Sequence, residues 1–439
     1  MPSGSTVVLG TALFLVAVTK SLAPCAASPD PLNWPQWRGP GGGGVWKAVR
    51  LPALLSSDTV KERWSVPIGG GYAGVSVAAG RVVTLDRPAG KQAAKPPATK
   101  PATERVLCFD RETGKELWKY EYAAQYGDLD HGNGPRSTPT IEGDRVYTLG
   151  ALGRLHCLEL MSGRLVWDVD LQTKYDATMP IWGHSVSPLI VDDRIVIQIG
   201  GKPNAAIVAV DKGTGAEIWK TGDDRPGYST PIQIVVDGVE QLAVWTADNA
   251  LGIDPKTGSL LWEAPFRTSS YDVAIASPVF ADGQLFLSGY WDGSRTFRLD
   301  GGRTPRVQWE DKRKPSCLMA TPLYHDGHLY ALDRRAGLLC VEWRSGKGLW
   351  SDEHKMTPEG RNPHASMVWA GSRSSGVAAI LNAPGELIVA ELSPKGYQER
   401  GRVPIIGFTW AHPAFSGQDV FARSDTKIVC VRIVAPSEK

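Results

Sequence analysis

A six-residue phrase ending in tryptophan recurs five times along this chain of 439 residues. The copies are TGKELW (Thr113–Trp118), SGRLVW (Ser162–Trp167), TGAEIW (Thr214–Trp219), TGSLLW (Thr257–Trp262) and SGKGLW (Ser345–Trp350). Tryptophans in this register lie 41 to 54 residues apart, at Trp64, Trp118, Trp167, Trp219, Trp262, Trp309 and Trp350. A period in the forties is typical of propeller blades and of arrays of short helices.

The residues between these tryptophans favour strands. β-Branched runs such as RIVIQI (Arg194–Ile199) alternate with turn pairs such as Asp237-Gly238 and Asp282-Gly283, which is typical of β-hairpins. A second phrase, Ser or Thr before Pro, falls midway between successive tryptophans. It has eight copies if weak ones are counted. The clear copies include Thr138-Pro139, Ser187-Pro188, Thr230-Pro231, Ser277-Pro278 and Thr321-Pro322.

Each unit therefore contains four antiparallel strands, and the sequence predicts an all-β, eight-bladed β-propeller. Seven blades would result if the weak units merged. The isolated strand ERWSVPI (Glu62–Ile68) should pair with the last blade, which supplies only three strands of its own. Such pairing closes the ring and removes exposed sheet edges.

The repeated phrase has a structural explanation. Its glycine supplies the positive φ of a tight hairpin, and its tryptophan, on the outer strand, fills the wedge between neighbouring blades. Cys108, Cys157 and Cys340 each lie ten residues before such a tryptophan. That position favours a small apolar residue, so we expect buried free thiols there rather than disulfides.

The remaining segments predict export and one insertion. Residues 1–27 resemble a secretory signal peptide, with an apolar stretch too short to span a bilayer, and Cys25 is a weak candidate for lipid attachment. Residues 28–61 form a Trp/Pro/Gly-rich extension, which we expect to pack on the propeller (62–435). The Lys/Pro/Ala-rich segment 87–104 predicts a disordered loop. The 48 basic and 46 acidic residues nearly balance, which argues against nucleic-acid binding.

The repeat Asp-x-x-Thr-Gly-x-x-x-Trp resembles that of the pyrroloquinoline-quinone (PQQ)-like propellers. Two branches share it: quinoprotein alcohol dehydrogenases and the BamB-type lipoprotein of the outer-membrane assembly machinery. The segment NWPQWRGPGGGGVW (Asn33–Trp46) is similar to the N-terminal motif of secreted PQQ-like repeat proteins of planctomycete-type bacteria. The resemblance implies the fold strongly and the function weakly. The adjacent cysteine pair that quinoprotein dehydrogenases hold against their cofactor is absent from this sequence.

Candidate site residues follow from the register of the inner strands, whose starts surround the channel mouth of a propeller. Three positions before each proline equivalent the chain has different residues, namely Gly74, Arg136, Ser185, Tyr228, Ile275, Met319, His364 and Trp410. Arg136, Ser185, Tyr228, His364 and Trp410 are the candidate binding residues. This set contains no carboxylate, and Ca²⁺ prefers six to eight oxygen ligands; we therefore predict no calcium–quinone site and no other cofactor.

Two further clusters have alternative explanations. Asp128, Asp130, His131 and Asn133 in the loop 127–136 could ligate a metal, but in a glycine-rich loop these residue types more often form turns. His184, His364 and His412 all precede inner strands, and only the folded ring could bring them together. The sequence contains no nucleophile elbow, P-loop or zinc-protease motif, and we assign no catalytic residue.

These observations favour a non-catalytic, exported scaffold of the periplasm or cell envelope, a monomeric ring without a membrane-spanning segment. Its partner would be an envelope protein or a cell-surface polymer. One alternative is a PQQ-dependent quinoprotein oxidoreductase, in which Trp410 or Trp182 would stack on the cofactor. Another is a polysaccharide-binding propeller that uses Trp410 and Tyr228.

Replacing Trp262 with alanine should test the wedge-filling role of the tryptophans. We expect the free energy of unfolding to fall by about 3–5 kcal/mol, the usual effect of truncating a buried aromatic residue. Urea denaturation of both proteins measures the change. Ligand binding by the folded fraction should be preserved, and an unchanged stability would contradict the explanation.

Overall fold

The computed structural model describes residues 1, 30, 32–47, 49–88, 102–127, 129–300 and 304–434. The predicted signal peptide, the Cys25 anchor and residues 89–101 of the predicted insertion lie outside these residues. The last part of that insertion was assigned wrongly, because Thr103 and Glu104 belong to a strand and the Glu104 side chain is fully buried. No helix among the described residues is long and apolar enough to cross a membrane.

The described residues from position 32 onward form a ring of eight four-stranded antiparallel sheets, as predicted. Two strands precede the first blade, β1 (Val45–Trp46) and β2 (Val60–Pro67). Blade 1 contains β3 (Ser76–Ala78), β4 (Arg81–Asp86), β5 (Thr103–Asp110) and β6 (Glu116–Ala123). Blade 2 contains β7 (Thr140–Glu142), β8 (Arg145–Leu149), β9 (Arg154–Glu159) and β10 (Leu165–Asp170), followed by the one-turn helix α1 (Leu171–Lys174).

The next four blades repeat the arrangement. Blade 3 contains β11 (Leu189–Val191), β12 (Arg194–Gly201), β13 (Ala205–Asp211) and β14 (Glu217–Thr221). Blade 4 contains β15 (Ile232–Val236), β16 (Val239–Trp245), β17 (Asn249–Ile253) and β18 (Leu260–Pro265). Blade 5 contains β19 (Val279–Ala281), β20 (Gln284–Gly289), β21 (Gly293–Arg298) and β22 (Arg306–Asp311). Blade 6 contains β23 (Leu323–His325), β24 (His328–Asp333), β25 (Gly337–Glu342) and β26 (Gly348–Ser351).

The last two blades each involve an N-terminal strand. Blade 7 contains β27 (Ala365–Ala370), β28 (Val377–Asn382), β29 (Glu386–Ser393) and β30 (Gly396–Pro404), and β1 pairs in parallel with β27. Blade 8 contains β31 (Ala414–Ser416), β32 (Asp419–Arg423) and β33 (Lys427–Ile433), with β2 as its outer strand. The antiparallel pairing of β2 with β33 closes the ring as predicted.

The tryptophans of the repeat link each blade to the next. Their indole N–H groups donate to backbone carbonyls at the outer turn of the following blade: Trp64 to Arg111 (2.9 Å), Trp118 to Leu160 (2.8 Å), Trp167 to Lys212 (3.1 Å), Trp219 to Pro255 (3.0 Å), Trp309 to Trp343 (2.8 Å) and Trp350 to Ser393 (2.9 Å). Trp262 differs, because its indole donates to Gln241 Oε1 of its own blade at 2.7 Å. The turn that should receive it, near Asp300, departs from the repeat in sequence.

The glycine of the phrase serves this docking as well as the turn. Gly163 has a φ of 71°, a conformation that disfavours a side chain. A Cβ atom on it would also lie 2.5 Å from the Trp118 ring of the preceding blade. Gly114, Gly215, Gly258 and Gly346 face Trp64, Trp167, Trp219 and Trp309 in the same way. The turn and the indole of the preceding blade therefore both require glycine.

The small residue ten positions before the tryptophan is explained by strand register. Cys108, Cys157 and Cys340 lie directly opposite Trp118, Trp167 and Trp350 on the adjacent strand, and Cys430 lies opposite Trp64. These four thiols are buried and free, as is Cys317. Burial raises the pKa of Cys430 to about 12, so these thiols are packing groups rather than nucleophiles.

The Ser/Thr-Pro phrase forms a hub around the axis. In three of the phrases the hydroxyl before the proline accepts a backbone N–H from the preceding blade: Ser187 Oγ from Thr138 (3.1 Å), Thr230 Oγ1 from Ser187 (3.1 Å) and Thr321 Oγ1 from Ser277 (3.3 Å). The innermost strands are short and offer few ladder hydrogen bonds to hold them. These side-chain bonds therefore connect neighbouring blades where the blades converge.

The segment that precedes β2 is part of the ring, as expected. Residues 33–46, here termed the N-terminal strap, run along the inner strands of several blades. Trp34 exchanges backbone hydrogen bonds with Val77 of blade 1, and Gly44 O accepts the N–H of Trp369 of blade 7. Trp34 and Trp46 are 3% and 1% exposed. Beyond the strap, Leu55 joins the apolar cluster of blades 7 and 8, where β30 lacks a docking tryptophan.

Comparing two glycine substitutions should separate indole docking from backbone strain. Gly163→Ala places a methyl group against Trp118, whereas a Cβ atom on Gly238 would have no neighbour within 4 Å. Both residues have positive φ, at 71° and 80°, so the backbone penalty is shared. We expect Gly163→Ala to lower the free energy of unfolding by about 1–3 kcal/mol more than Gly238→Ala, as overpacking does. Equal losses in urea denaturation would contradict the docking explanation.

Candidate functional site

A cavity of about 240 Å³ opens at the mouth of the channel, where the inner strands begin. Aromatic side chains from five blades and from the strap line it, namely Trp37, Tyr72, Trp182, Tyr228, Tyr271, Tyr290, Trp291 and Trp410. Its polar lining includes Asp130, Arg136, Ser185, Arg361 and Asn362. We term this the aromatic cup. Mostly apolar walls with a few polar groups are typical of ligand pockets.

Trp37 of the strap is the floor of the cup. It lines both the cup and a second cavity of about 210 Å³. The second cavity extends along the Ser/Thr-Pro strands of blades 3 to 6 and includes Arg38. The Trp37 ring also packs edge-on against His412, with centroids 3.8 Å apart. The sequence indicated that Trp37 packs on the ring, but its place under the mouth depends on the path of the strap.

Arg136 lines the cup as the inner-strand register predicts, yet its donors are engaged. Nη1 donates to Gly134 O at 2.8 Å, and Nη2 donates to Asp130 O at 3.0 Å and to Gly132 O at 2.7 Å. Burial lowers the pKa of the guanidinium, which nevertheless remains charged. Its main role is therefore to shape the loop 129–136 against the mouth.

Tyr228 and Ser185 form one wall together with Trp182. Tyr228 is 5% exposed, its ring centroid is 5.0 Å from that of Trp182, and its hydroxyl accepts the Trp182 backbone N–H at 3.4 Å. Burial raises the pKa of the Tyr228 phenol. Trp182 Nε1 donates to Asp130 Oδ2 at 3.1 Å, and this bond holds the pKa of that carboxyl below its usual range.

Trp410 forms the facing wall. Its ring lies 5.5 Å from Tyr72 and 5.6 Å from His131. The Tyr72 hydroxyl donates to His131 O at 2.7 Å. His131 itself has a left-handed φ of 61°, which is uncommon for a residue other than glycine. The loop 129–136 is therefore fixed by Arg136, Tyr72 and Trp182 together.

His364 does not line the cup, although it shares the register of the other candidates. Its ring is 1% exposed, both nitrogens lack hydrogen-bond partners among the described residues, and its centroid is 5.2 Å from that of His412. His412 lines the cup and shares a 2.8 Å hydrogen bond with Ser366 Oγ. His184 is separate, since its Nε2 bonds to Gln172 at 2.8 Å. His364 and His412 therefore form a pair, and His184 makes its own contact elsewhere.

Sequence reasoning missed the wall formed by blades 4 to 7. Tyr271 and Trp291 are 60% and 37% exposed, and their ring centroids are 5.6 Å apart. The Tyr290 hydroxyl donates to Arg361 O, which ties blade 5 to the loop before β27. Tyr271 follows the outer strand of blade 4, and Tyr290 and Trp291 follow the second strand of blade 5. All three therefore lie outside the inner-strand register that predicted the other candidates. The lone tyrosine of SSYDVA and the adjacent Tyr-Trp pair of GYWDGS were the available signal.

The donor set does not fit a calcium–quinone centre. Asp130 carries the one carboxylate among the described lining residues, and its Oδ2 already accepts Trp182 Nε1. Ca²⁺ usually takes several carboxylate oxygens. Within the described part of the chain, no three His, Cys, Asp or Glu side chains converge as metal ligands do. Asp128, the other carboxylate of this loop, lies outside the described residues.

Comparison with known proteins places this chain among PQQ-like propellers. The family model described as "Outer membrane protein assembly factor BamB" matches residues 102–352. A quinohemoprotein alcohol dehydrogenase, ADH IIB of Pseudomonas putida, is 25% identical over 57% of this chain and 40% of its own length. BamB of Moranella endobia is 23% identical over 56% of this chain and 61% of its own length. The alignments thus span less than two thirds of either relative.

Solved structures show the same fold. BamB of Moraxella catarrhalis superimposes with a TM-score of 0.58 at 15% identity, covering 87% of this chain and 99% of that protein. Quinohemoprotein alcohol dehydrogenase of Comamonas testosteroni gives a TM-score of 0.64 at 12% identity, covering 93% and 81%. One likeness is to an assembly factor and the other to an enzyme. The comparison therefore establishes the fold and does not decide between these two functions.

Acid should destabilise the fold through the His364–His412 pair. Burial lowers the pKa of His364 to about 4, and burial, with the charges of His364 and Arg38, lowers that of His412 well below its usual range. Both rings take up protons on unfolding below their ordinary pKa of about 6.5. The free energy of unfolding should therefore fall as pH drops from 6.5 toward 4, by up to about 1.4 kcal/mol per pH unit for each ring.

Urea denaturation at several pH values measures this dependence. In His364→Leu one of the two rings is absent, so the slope of stability against pH between 6.5 and 4 should be shallower by up to about 1.4 kcal/mol per pH unit. Identical slopes in both proteins would contradict the assignment, whatever the change in stability at neutral pH.

Proposed function

Because this chain belongs to the PQQ-like propeller family described as outer membrane protein assembly factor BamB, we propose that it is a non-catalytic binding scaffold of the cell envelope. The observation that supports this most directly is the state of the polar groups in the aromatic cup. Arg136, Asp130 and the Tyr72 hydroxyl are all hydrogen-bonded to the protein itself. With these three groups engaged, aromatic faces are the main surface that the cup offers to a ligand.

The rim of the cup extends this binding face. Tyr271 and Phe408 are each 60% exposed, Ile181 is 44% exposed and Met179 is 37% exposed. Phe408 packs against Trp410, with ring centroids 5.5 Å apart, so the rim continues into the cup. Exposed apolar patches of this kind mark binding sites, and aromatic residues dominate the energetics of such sites.

Export to the periplasm or cell envelope is part of the same proposal. The signal-peptide-like sequence of residues 1–27 supports it, as does the likeness to outer membrane assembly factors. We propose that the partner is an envelope protein or a cell-surface polymer that docks on the mouth face, and that the ring acts as a monomer.

The second candidate is a quinoprotein oxidoreductase. The likeness to quinohemoprotein alcohol dehydrogenases favours it, as does an aromatic cup in which a planar ring could stack on Trp37 or Trp410. The described cup lacks the calcium donors, and its two imidazoles contact other protein groups, His131 beside Asp130 and His412 on Ser366, so we derive no reaction for it.

Titration with pyrroloquinoline quinone, with and without Ca²⁺, separates the two candidates. We expect no saturable quenching of tryptophan fluorescence and no dye-linked oxidation of alcohols. Micromolar binding with turnover would overturn the scaffold proposal.

Photo-crosslinking in the native host locates the docking face. A photo-reactive phenylalanine at position 271 should form a discrete adduct with an envelope component. The matched control replaces Val239, which is 54% exposed at the hairpin that ends the inner strand of blade 4, on the opposite face. Adducts from position 239 alone would place binding on the other face and contradict the assignment of the mouth.

A further inference from the structure

We propose that the ligand of the aromatic cup is a neutral carbohydrate chain, with one sugar ring packed among the aromatic walls. This inference rests on the proposed function and names the chemistry of its ligand. A pyranose ring has apolar C–H faces and a hydroxylated edge, so it needs flat aromatic surfaces together with scattered hydrogen-bonding groups. The cup combines both.

The charges at the mouth favour an uncharged ligand. Asp130 and Arg361 both line the cup, and the Arg361 cation contributes to stabilising the Asp130 carboxylate. Arg136 donates to three loop carbonyls. The one positive charge left over belongs to Arg136. Because its Nη1 and Nη2 atoms already donate to loop carbonyls, it offers an anion few free donors.

The aromatic walls provide stacking surfaces at two depths. Tyr271 and Trp291 are exposed, at 60% and 37%, whereas Trp37, Trp182 and Trp410 are partly buried. Tyr271 and the next residue, Asp272, both have left-handed φ, at 54° and 55°. Strained non-glycine backbone persists where the surrounding structure enforces it and is frequent at functional sites. Here the turn, held by the ion pair of Asp272 with Arg225, presents an aromatic ring to solvent.

Hydroxyl groups line the deep end of the cup. Ser187, Thr230 and Ser277 come from the Ser/Thr-Pro phrases of three successive blades and border the floor beside Trp37. Ser277 is 4% exposed, and its Oγ has no hydrogen-bond partner among the described residues. That hydroxyl is itself shielded from the cavity. The polar side chains that a sugar can reach are those of Arg361, which is exposed, and Asn362, which is partly exposed.

The accessible polar groups also separate a sugar from an apolar peptide side chain. A leucine or phenylalanine inserted into the cup would desolvate Arg361 and Asn362 without giving them hydrogen-bond partners. Sugar hydroxyls can bond to both side chains while the C–H faces of the ring contact the aromatic rings, so the observations favour a glycan over a peptide.

Calorimetric titration of the purified protein tests the proposal. The neutral probes are the hexasaccharides of cellulose, xylan and β-1,3-glucan, and the anionic probe is hexagalacturonate. We expect saturable binding of at least one neutral hexasaccharide, with a change in tryptophan fluorescence. Trp291→Ala and Tyr271→Ala should each weaken that binding about tenfold or more, the effect of removing a central aromatic contact. Both residues are exposed, so the variants should fold.

The control variant is Val239→Ala on the opposite face, which should leave the affinity unchanged within about twofold, since remote surface residues contribute little. Three results would overturn the proposal: no saturable binding of any neutral probe at millimolar concentration, binding of the anionic probe alone, or binding that neither mouth variant weakens. If a protein adduct forms from position 271 while every glycan fails, the scaffold function stands and the ligand class is wrong.

Discussion

The docking of one blade's tryptophan on the next blade's glycine turn is the interaction on which this structure depends. The indole fills the widening wedge between two sheets, and its N–H satisfies a turn carbonyl that would otherwise be left without a protein partner. The same contact requires a glycine at the turn and a small residue across the ladder, such as Cys157 opposite Trp167. One packing problem, repeated around a ring, thus accounts for three separate sequence preferences.

Where this docking fails, other segments replace it. The turn of blade 5 departs from the repeat in sequence, and Trp262 bonds instead to Gln241 within its own blade. Blade 7 has no docking tryptophan, and Leu55 packs into its junction with blade 8. The junction of blades 8 and 1 keeps its docking tryptophan, Trp64, and Arg111 adds hydrogen bonds there to Ser416 O and to the buried carboxylate of Asp419. The segment before β2 is therefore part of the closure of the ring.

The strap also changes the channel from a tunnel to a cup, because Trp37 separates the mouth from the polar cavity along the axis. A ligand entering the proposed site would therefore meet a chamber lined by aromatic rings and bounded by Trp37. Arg136 is a cation in the inner-strand register that predicts binding residues, yet it donates to three loop carbonyls. Its role is therefore structural. The Asp130 carboxylate is likewise held by Trp182.

The sequence by itself determined the strands, their grouping into eight blades, the closing strand and the buried thiols, because each depends on local periodicity or on a contact between adjacent repeats. It also placed Arg136, Tyr228 and Trp410 at the mouth through the register of the inner strands. Only the tertiary structure decided that His364 turns away from the cup and that Trp37, Tyr271 and Trp291 enter it. Their positions depend on how the strap and the irregular loops of several blades meet at one axis, and no repeat in the sequence encodes that convergence.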